Sequence, residues 1–227
     1  MYDYTDGRRG RMWRKNRFDN GDGSFGVDLN RNYGFMWGTG GSSSSTRSDT
    51  YMGTKPFSEV ETQNIKNFVE DPRNLSRMNI LISFHTFSEL ILYPWGHTYD
   101  SIEEKRDLAV FEKMAQTMSG WNNYTPQQSS DLYIASGDTT DWAYGEHGLF
   151  SFTFELSPKS MWNGGFYPDP SIRSRVFAEN LNPMMYLLEY SDDPYRVIDG
   201  ESVEHDYLNK SPSQKGISLA SPLDLKF

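Results

Sequence analysis

The sequence predicts an α/β fold with strands and helices in layers, and three features of the chain indicate it. Nearly continuous apolar runs fit buried strands, segments with helical spacing of apolar residues alternate with them, and Gly, Ser, Asn and Asp concentrate between these elements. A chain of 227 residues is long enough to bury one substantial core, so one domain is the default expectation.

The first predicted helix spans residues 58–70. Ser58-Glu59-Val60-Glu61 fits a capping box at its start, and Asp71-Pro72 stops it. A second helix is expected at about 101–120, because one apolar face follows the helical period: Leu108, Phe111, Ala115 and Met118. Two further helices are predicted, at 139–146 and, with a kink at Pro183, at 172–190.

The predicted strands span residues 78–84, 90–93 and 150–155. Each is rich in apolar residues, which favours strands that are covered on both faces. Glu155 ends the third strand, and a buried ionised carboxylate is costly unless a partner or a function retains it. Glu155 is therefore a candidate acid or base.

The remaining segments are predicted to be irregular. Residues 19–26 and 38–50 are rich in Gly, Ser, Asn and Asp and lack the apolar content of core elements, so we expect loops. From residue 199 onward the apolar content falls, and we predict a tail or linker at 199–227. Residues 1–198 then form the domain.

Composition limits the partners. The net charge of −9 disfavours nucleic acids and anionic membranes, and it outweighs the basic run at residues 8–17 (Arg8, Arg9, Arg11, Arg14, Lys15 and Arg17). There is no cysteine, so neither disulfides nor thiolate metal ligands are available. No apolar run approaches the length of a membrane span, and we expect no targeting signal in the chain as given.

Three polar positions are candidates for a functional site, but each also has a structural explanation. His85 follows a strand, where a histidine is more often a hydrogen-bonded scaffold residue than a metal ligand. Glu155 has the alternative of an ion pair with Arg14 or Arg17. The pair Asn30-Arg31 follows Asp28, to which an arginine could simply bridge. None of these residues decides the function alone.

The order and spacing of several segments resemble the zinc metallocarboxypeptidases of the carboxypeptidase A and B type, and most closely the bacterial carboxypeptidase T branch. The segments are Trp13-Arg14-Lys15-Asn16-Arg17, Asp28-Leu29-Asn30-Arg31-Asn32-Tyr33, Phe84-His85-Thr86-Phe87-Ser88-Glu89-Leu90-Ile91-Leu92-Tyr93-Pro94, Tyr124-Thr125-Pro126-Gln127-Gln128, Asp131-Leu132-Tyr133-Ile134, Asp141-Trp142-Ala143-Tyr144-Gly145 and Phe152-Thr153-Phe154-Glu155. The resemblance implies a mixed, mostly parallel central sheet with helices on both faces.

The resemblance also implies roles for individual residues. His85 would be the third zinc ligand, Glu155 the general base and Arg17 the group that polarises the scissile carbonyl. Asn30 and Arg31 would bind the terminal carboxylate of a peptide. The remaining implied features are Tyr133 as a lid over the bound end and cis peptide bonds at Thr86-Phe87, Pro94-Trp95 and Ser157-Pro158.

Specificity is expected to follow from residues 135–140, which line the pocket for the last substrate residue in this family. Thr140 takes the position that separates the A and B types, and Asp138 lies two residues earlier. We predict broad specificity, with apolar ends accepted against Leu92 and Lys or Arg ends accepted through Asp138. The alternative for Asp138 is that it caps the following helix.

The sequence departs from the family at the zinc ligands. The family's other two ligands come from a His-x-x-Glu motif, and no histidine of this chain has Glu three positions later. The pair that comes nearest to this motif is His97 with Asp100, three positions later. His147 is predicted to lie on the surface. We therefore expect an N-terminally truncated later portion of the catalytic domain, with zinc binding weak or absent and the chain alone inactive.

Three functions compete at this point. The first is the later portion of a secreted zinc carboxypeptidase, and secretion follows from the resemblance alone. The second is a non-catalytic module that binds peptide C-termini, which the missing ligands favour and the retained Glu155 and Arg17 disfavour. The third is an amidase on the same scaffold that acts on cell-wall peptides. Peptide or protein C-termini are the expected partners of the first two, and the oligomeric state stays open.

Overall fold

The computed structural model describes residues 12–200, so that residues 201–227 of the predicted tail and Arg8, Arg9 and Arg11 lie outside it. The strands of the sheet are β1 (Ile80–Thr86), β2 (Leu90–Tyr93), β3 (Thr125–Gln128) and β4 (Phe150–Leu156). The α-helices in these residues are α1 (Val60–Glu70), α2 (Pro72–Leu75), α3 (Lys105–Asn122), α4 (Thr139–His147), α5 (Arg173–Glu189) and α6 (Arg196–Asp199).

The strands form a mixed sheet in the order β1-β4-β2-β3. The pairs β1–β4 and β2–β3 are parallel, and β2–β4 is antiparallel. This arrangement confirms the predicted mixed, mostly parallel sheet. Strand β4 lies between two neighbours, whereas β1 pairs only with β4 among the described residues.

Strand β4 presents an apolar face and a polar face, although both are buried. Phe150, Phe152 and Phe154 lie on one face and belong to a core that α3 and α5 complete. The alternating residues Ser151, Thr153 and Glu155 lie on the other face, because side chains along a strand point to opposite sides in turn. Ser151 Oγ donates to the carbonyl of Thr140 in α4 at 2.7 Å, which identifies this as the α4 face.

Helices cover both faces of the sheet, as predicted. On one face Phe111 of α3 lies 5.0 Å from Phe150 and 5.3 Å from Phe152, measured between ring centroids. On the other face Trp142 of α4 and Val69 of α1 form a second apolar cluster, against which Leu81 of β1 packs. Parallel strands with helices on both sides are the architecture in which sites form at the carboxyl ends of the strands.

The predicted capping box is wrong. Helix α1 begins at Val60, and its N-cap Glu59 makes no side-chain capping hydrogen bond. Asn32 explains the difference, because its side chain forms hydrogen bonds with the Ser58 hydroxyl and the Glu59 amide. Asn32 Nδ2 donates to Ser58 Oγ at 3.0 Å, and the amide of Glu59 donates to Asn32 Oδ1 at 3.2 Å. A tertiary contact has therefore replaced the local motif.

Other boundaries also differ from the predictions. Helix α3 begins at Lys105 rather than near residue 101, because Glu104 caps it by accepting from the amide of Arg106. It runs past Gly120 to Asn122 and ends on Asn123 in the left-handed conformation. Strand β3 was not predicted, since its polar sequence gives no apolar signal. Predicted loops 19–26 and 38–50 contain no helix or strand.

Strand β1 is less covered than its apolar sequence predicts. Its residues are half-buried or exposed, and Phe84 is 52% exposed. The reason is its place at the edge of the sheet among the described residues. Cis peptide bonds follow β1, β2 and β4 at the three predicted positions, Thr86-Phe87, Pro94-Trp95 and Ser157-Pro158. In residues 12–200 we find no helix with the length and hydropathy that a membrane span needs.

Candidate active site

The site is organised by the pairing of β1 with β4. Because the strands are parallel and in register, His85 lies directly opposite Glu155. Leu81 and Ser151, four residues earlier in each strand, are also partners, so His85 and Glu155 share the α4 face of the sheet. Both residues come near the carboxyl ends of their strands, and both line the same cavity.

His85 lies in an environment that favours its neutral form. Its Nε2 is 2.9 Å from Ser83 Oγ. Burial lowers the pKa of His85, and the positive charges of Arg14 and Arg31 lower it further, while Asp28 opposes them. A neutral imidazole has a lone pair to offer, which is the form in which histidine binds a metal ion.

Glu155 has the opposite shift. Its side chain is buried, and burial raises its pKa to about 7, although the charge of Arg14 acts in the other direction. A carboxyl group with a pKa near neutrality can both accept and return a proton at physiological pH. The sequence-based alternative of an ion pair with Arg14 does not hold, because Arg14 pairs with Asp28 at 2.8 Å.

Two arginines of the segment 12–17 differ in their position relative to the cavity. Arg14 lines the cavity, and its charge influences both His85 and Glu155. Arg17 is exposed and stacks on Trp13, 3.9 Å from the ring centroid, and it is not among the residues that line this cavity. The Arg14 guanidinium pairs with the buried carboxylate of Asp28.

Arg31 is buried in the wall of the cavity. Its Nη1 donates to the carbonyl of Asn30 at 2.6 Å and its Nε to the carbonyl of Gly41 at 3.2 Å. Within residues 12–200 it makes no ion pair with a carboxylate, so the predicted alternative of a bridge to Asp28 is wrong. Gly137 allows this packing, because at φ +70 a Cβ would lie 2.7 Å from the Arg31 carbonyl.

The amide of Asn30 has a fixed orientation. Its Oδ1 accepts from both the backbone amide and the hydroxyl of Thr139, at 3.0 and 2.9 Å. Because the backbone amide can only donate, the oxygen must face Thr139. The NH₂ group of Asn30 is then turned away from Thr139, and Asn30 lines the cavity beside Arg31.

The cavity has a volume of about 250 Å³ and combines charged, hydroxyl and apolar walls. Leu92 contributes apolar surface, and Tyr133 lies at the mouth with its side chain 51% exposed. The Arg31 guanidinium is 5.8 Å from the centroid of the Tyr133 ring. The other residues around the cavity include Asn30, His85, Asp138, Thr140 and Glu155.

Asp138 is the N-cap of α4, as the second sequence-based interpretation predicts, and it also lines the cavity. Its Oδ1 accepts from the amides of Thr140 and Asp141 and from the Thr140 hydroxyl, at 2.8, 2.9 and 2.7 Å. Burial raises the pKa of Asp138 to about 7, and the charge of Asp141 adds to the effect. Thr140 thus serves the cap while its side chain borders the cavity.

Asp141 was not predicted as a site residue, but it forms hydrogen bonds with the segment that contains Gly96, which lines the cavity. It accepts from the amides of Gly96 and His97, at 2.8 and 3.0 Å, and from His97 Nδ1 at 2.7 Å. His97 is therefore held by Asp141 rather than paired with Asp100. Its ring also packs against Phe35 and Trp95.

His85 is the described residue that the sequence resemblance predicts as a zinc ligand at this site. Its neutral form and its place beside Glu155 fit that expectation. Within residues 12–200, however, the cluster of three potential metal ligands lies elsewhere, at Glu70, Glu146 and His147, and none forms around His85. The prediction that His147 lies on the surface is wrong, because its side chain is only 11% exposed.

Comparison with known proteins relates this chain to a family. The family model for zinc carboxypeptidases matches residues 2–182. Zinc carboxypeptidase A 1 of Anopheles gambiae is 36% identical over 188 residues, which are 80% of this chain and 42% of that protein. The zinc carboxypeptidase of Saccharothrix mutabilis subsp. capreolus is 36% identical over 193 residues, 83% of this chain and 44% of that protein.

Solved structures agree with the sequence comparison. Bovine thrombin-activatable fibrinolysis inhibitor, in complex with tick carboxypeptidase inhibitor, aligns with a TM-score of 0.71 and 32% identity over 84% of this chain and 65% of that chain. Carboxypeptidase A of Helicoverpa armigera aligns with a TM-score of 0.69 and 32% identity over 84% of this chain and 48% of that one. This chain spans less than half the length of the two curated relatives above. It belongs to the zinc carboxypeptidase family.

Proposed function

We propose that the protein is a metallocarboxypeptidase that removes C-terminal residues from peptides. The observation that carries the proposal is the register of β1 and β4, which sets His85 against Glu155 in a cavity that also contains a buried arginine. Glu155, the candidate base, and Arg31, the candidate binding group for a chain end, thus line the same cavity. The family relation supports hydrolysis as the reaction.

Binding of the substrate's terminal carboxylate is assigned to Arg31 and Asn30. A buried guanidinium is costly without an anionic partner, and the hydrogen bonds that Arg31 makes among the described residues go only to carbonyl oxygens. Its planar fork matches a carboxylate in a bidentate geometry. The NH₂ group of Asn30 adds a second donor whose direction Thr139 fixes. Tyr133 at the mouth is suited to close over the bound end.

The proton transfer is assigned to Glu155. With its pKa raised to about 7 by burial, it can take a proton from the attacking water and return it to the leaving amine. We assign stabilisation of the developing oxyanion to Arg14 instead of Arg17, because Arg14 lines the cavity next to both His85 and Glu155. Asp28 holds the Arg14 guanidinium in this position.

Zinc is the cofactor that the family implies, with His85 as one ligand. When bound, zinc lowers the pKa of a water molecule and polarises a carbonyl group. Among residues 12–200 the cluster of potential metal ligands does not include His85, so the further zinc ligands are proposed to come from residues outside this range. Secretion and membership of the carboxypeptidase T branch remain proposals from the sequence resemblance.

The substrates are proposed to be peptide or protein C-termini with apolar or basic last residues. Leu92 offers apolar contact, and Asp138 places a carboxyl group in the same cavity. The solved relative in complex with a protein inhibitor supports a polypeptide as the ligand. Because the pKa of Asp138 is raised to about 7, its attraction for Lys or Arg depends on pH.

The catalytic role of Glu155 is tested by Glu155→Gln in the complete gene product with zinc added. We expect the release of C-terminal Leu from peptides to fall about 10²–10⁴-fold, because the amide cannot accept the proton. Peptide binding, measured by calorimetry, should change little, since Gln keeps the size of the side chain. Wild-type protein that binds peptides but releases no residue would instead favour the non-catalytic module.

Carboxylate binding is tested by Arg31→Lys in titrations with a Leu-terminated peptide. Lysine keeps the charge but lacks the planar fork, so we expect affinity to fall about tenfold or more. Amidation of the peptide should cause a similar loss in wild type and little further loss in the variant. Arg17→Lys, at an exposed position away from the cavity, is the matched control and should bind like wild type.

The two arginines are distinguished by their effects on turnover. Arg14→Gln should lower kcat by about 10²–10³-fold, which is typical for loss of one oxyanion-stabilising donor. Arg17→Gln should leave kcat near the wild-type value, because Arg17 stacks on Trp13 outside the cavity. The reverse ranking of the two variants would restore the original sequence-based assignment.

The role of Asp138 is tested by comparing the binding of peptides that end in Arg and in Leu between pH 6 and 8. Since the pKa of Asp138 is raised to about 7, the carboxyl is mostly neutral at the lower pH and mostly ionised at the higher one. The preference for Arg should therefore rise several-fold with pH. Asp138→Asn should abolish the rise and still cap α4. Equal losses for both peptides would refute the specificity role.

A further inference from the structure

A second cluster of metal-ligand side chains lies away from the cavity. Ligand atoms of Glu70, Glu146 and His147 all lie within 4.8 Å of one another. Glu70 is the last residue of α1, and Glu146 and His147 are the last residues of α4. His147 precedes the start of β4, whereas Glu155 is near its other end, about 16 Å along the strand at about 3.3 Å per residue.

The imidazole of His147 points into this cluster without a hydrogen bond. Its Nε2 is buried and has no hydrogen-bond partner, although Glu70 Oε1 is 3.5 Å away. The histidine side chain is 11% exposed, and its ring packs edge-on against Trp142 at 4.9 Å between centroids. A buried nitrogen of this kind is costly unless a ligand uses its lone pair.

The two carboxylates are held by neighbouring side chains. The indole N–H of Trp142 donates to Glu146 Oε2 at 3.0 Å, which orients that carboxylate as outer-shell donors orient metal ligands. Lys66 binds Oε2 of Glu70, so Oε1 is the oxygen that approaches His147. Lys66 balances one of the two negative charges, and a cation can bind to the remaining one.

The helix ends add to the attraction for a cation. Both α1 and α4 terminate at the cluster, and the last carbonyls of a helix carry partial negative charge. The 3.5 Å separation between His147 Nε2 and Glu70 Oε1 allows an ion pair if His147 is protonated, but that pair makes no hydrogen bond and does not account for the nearby carboxylate of Glu146. The convergence of an imidazole and two carboxylates is explained better by a shared metal ion.

We propose that Glu70, Glu146 and His147 form a structural site for a divalent transition metal such as zinc, separate from the cavity of His85. One imidazole nitrogen and two carboxylate oxygens, with a water molecule in the fourth position, match the tetrahedral coordination of zinc. The imidazole favours zinc over calcium or magnesium, which prefer oxygen ligands only. The ion joins the ends of α1 and α4 and stabilises the layer behind the cavity.

The test is a zinc titration of chelator-treated protein, with a chromophoric chelator as competitor. Wild type should show a saturable site, and zinc should raise its Tm. His147→Gln should lower the affinity at least tenfold and remove the rise in Tm. Glu146→Gln should also weaken binding; because Glu146 is exposed, this variant is expected to fold even if His147→Gln does not.

His85→Gln is the control that separates this site from the cavity. It should leave the zinc affinity of the second site and the rise in Tm unchanged. Absence of saturable zinc binding in wild type, or equal affinity in wild type and Glu146→Gln, would overturn the proposal. These outcomes are independent of peptide hydrolysis, because His147→Gln and Glu146→Gln leave every group of the cavity in place.

Discussion

The parallel, in-register pairing of β1 and β4 is the constraint on which the site depends. Hydrogen bonding between the strands fixes which side chains are neighbours, and a shift of one residue would move His85 or Glu155 to the opposite face. The phenylalanines of β4 specify this register, since Phe150, Phe152 and Phe154 must all face the α3 and α5 core. The apolar core on one face of β4 thus determines the position of the polar site on the other.

Most of the buried acidic side chains at the site are paired, accept hydrogen bonds or have a raised pKa. Asp28 is paired with Arg14, and Asp141 accepts hydrogen bonds from Gly96 and His97. Burial raises the pKa of both Glu155 and Asp138, so neither need carry a full charge near neutral pH. Arg31 differs from these groups, because its hydrogen bonds go only to carbonyl oxygens and the nearby Asp138, whose pKa the charge of Arg31 lowers, makes no ion pair with it.

Part of this arrangement could be predicted from the sequence. The apolar runs and helical periods were sufficient for β1, β2, β4 and for the cores of the long helices, because burial dictates those patterns. The family resemblance singled out His85, Glu155, Asn30 and Arg31, and all of these residues line the same cavity.

Tertiary contacts determined the features that local sequence patterns did not predict. Arg14 and Arg17 occur in one irregular segment without a period, and the pairing of Arg14 with the buried Asp28 is a tertiary contact that this segment does not indicate. The capping box at Ser58 failed because Asn32, 26 residues earlier, binds the same hydroxyl. His147 was expected on the surface, but contacts with Trp142 of the same helix and with Glu70 of α1 bury its side chain. These are contacts between residues that local patterns do not relate.

The start of α4 bears on the proposed binding of a carboxylate by Arg31. A helix N-terminus normally offers free amides to an anion, but here the amides are already used. Thr139 donates to Asn30, and Thr140 and Asp141 donate to Asp138. The hydrogen bonds to Asn30 and Asp138 therefore occupy the first backbone donors of α4. This supports the proposed role of Arg31 in binding a chain end, because its side chain stays charged throughout the neutral pH range.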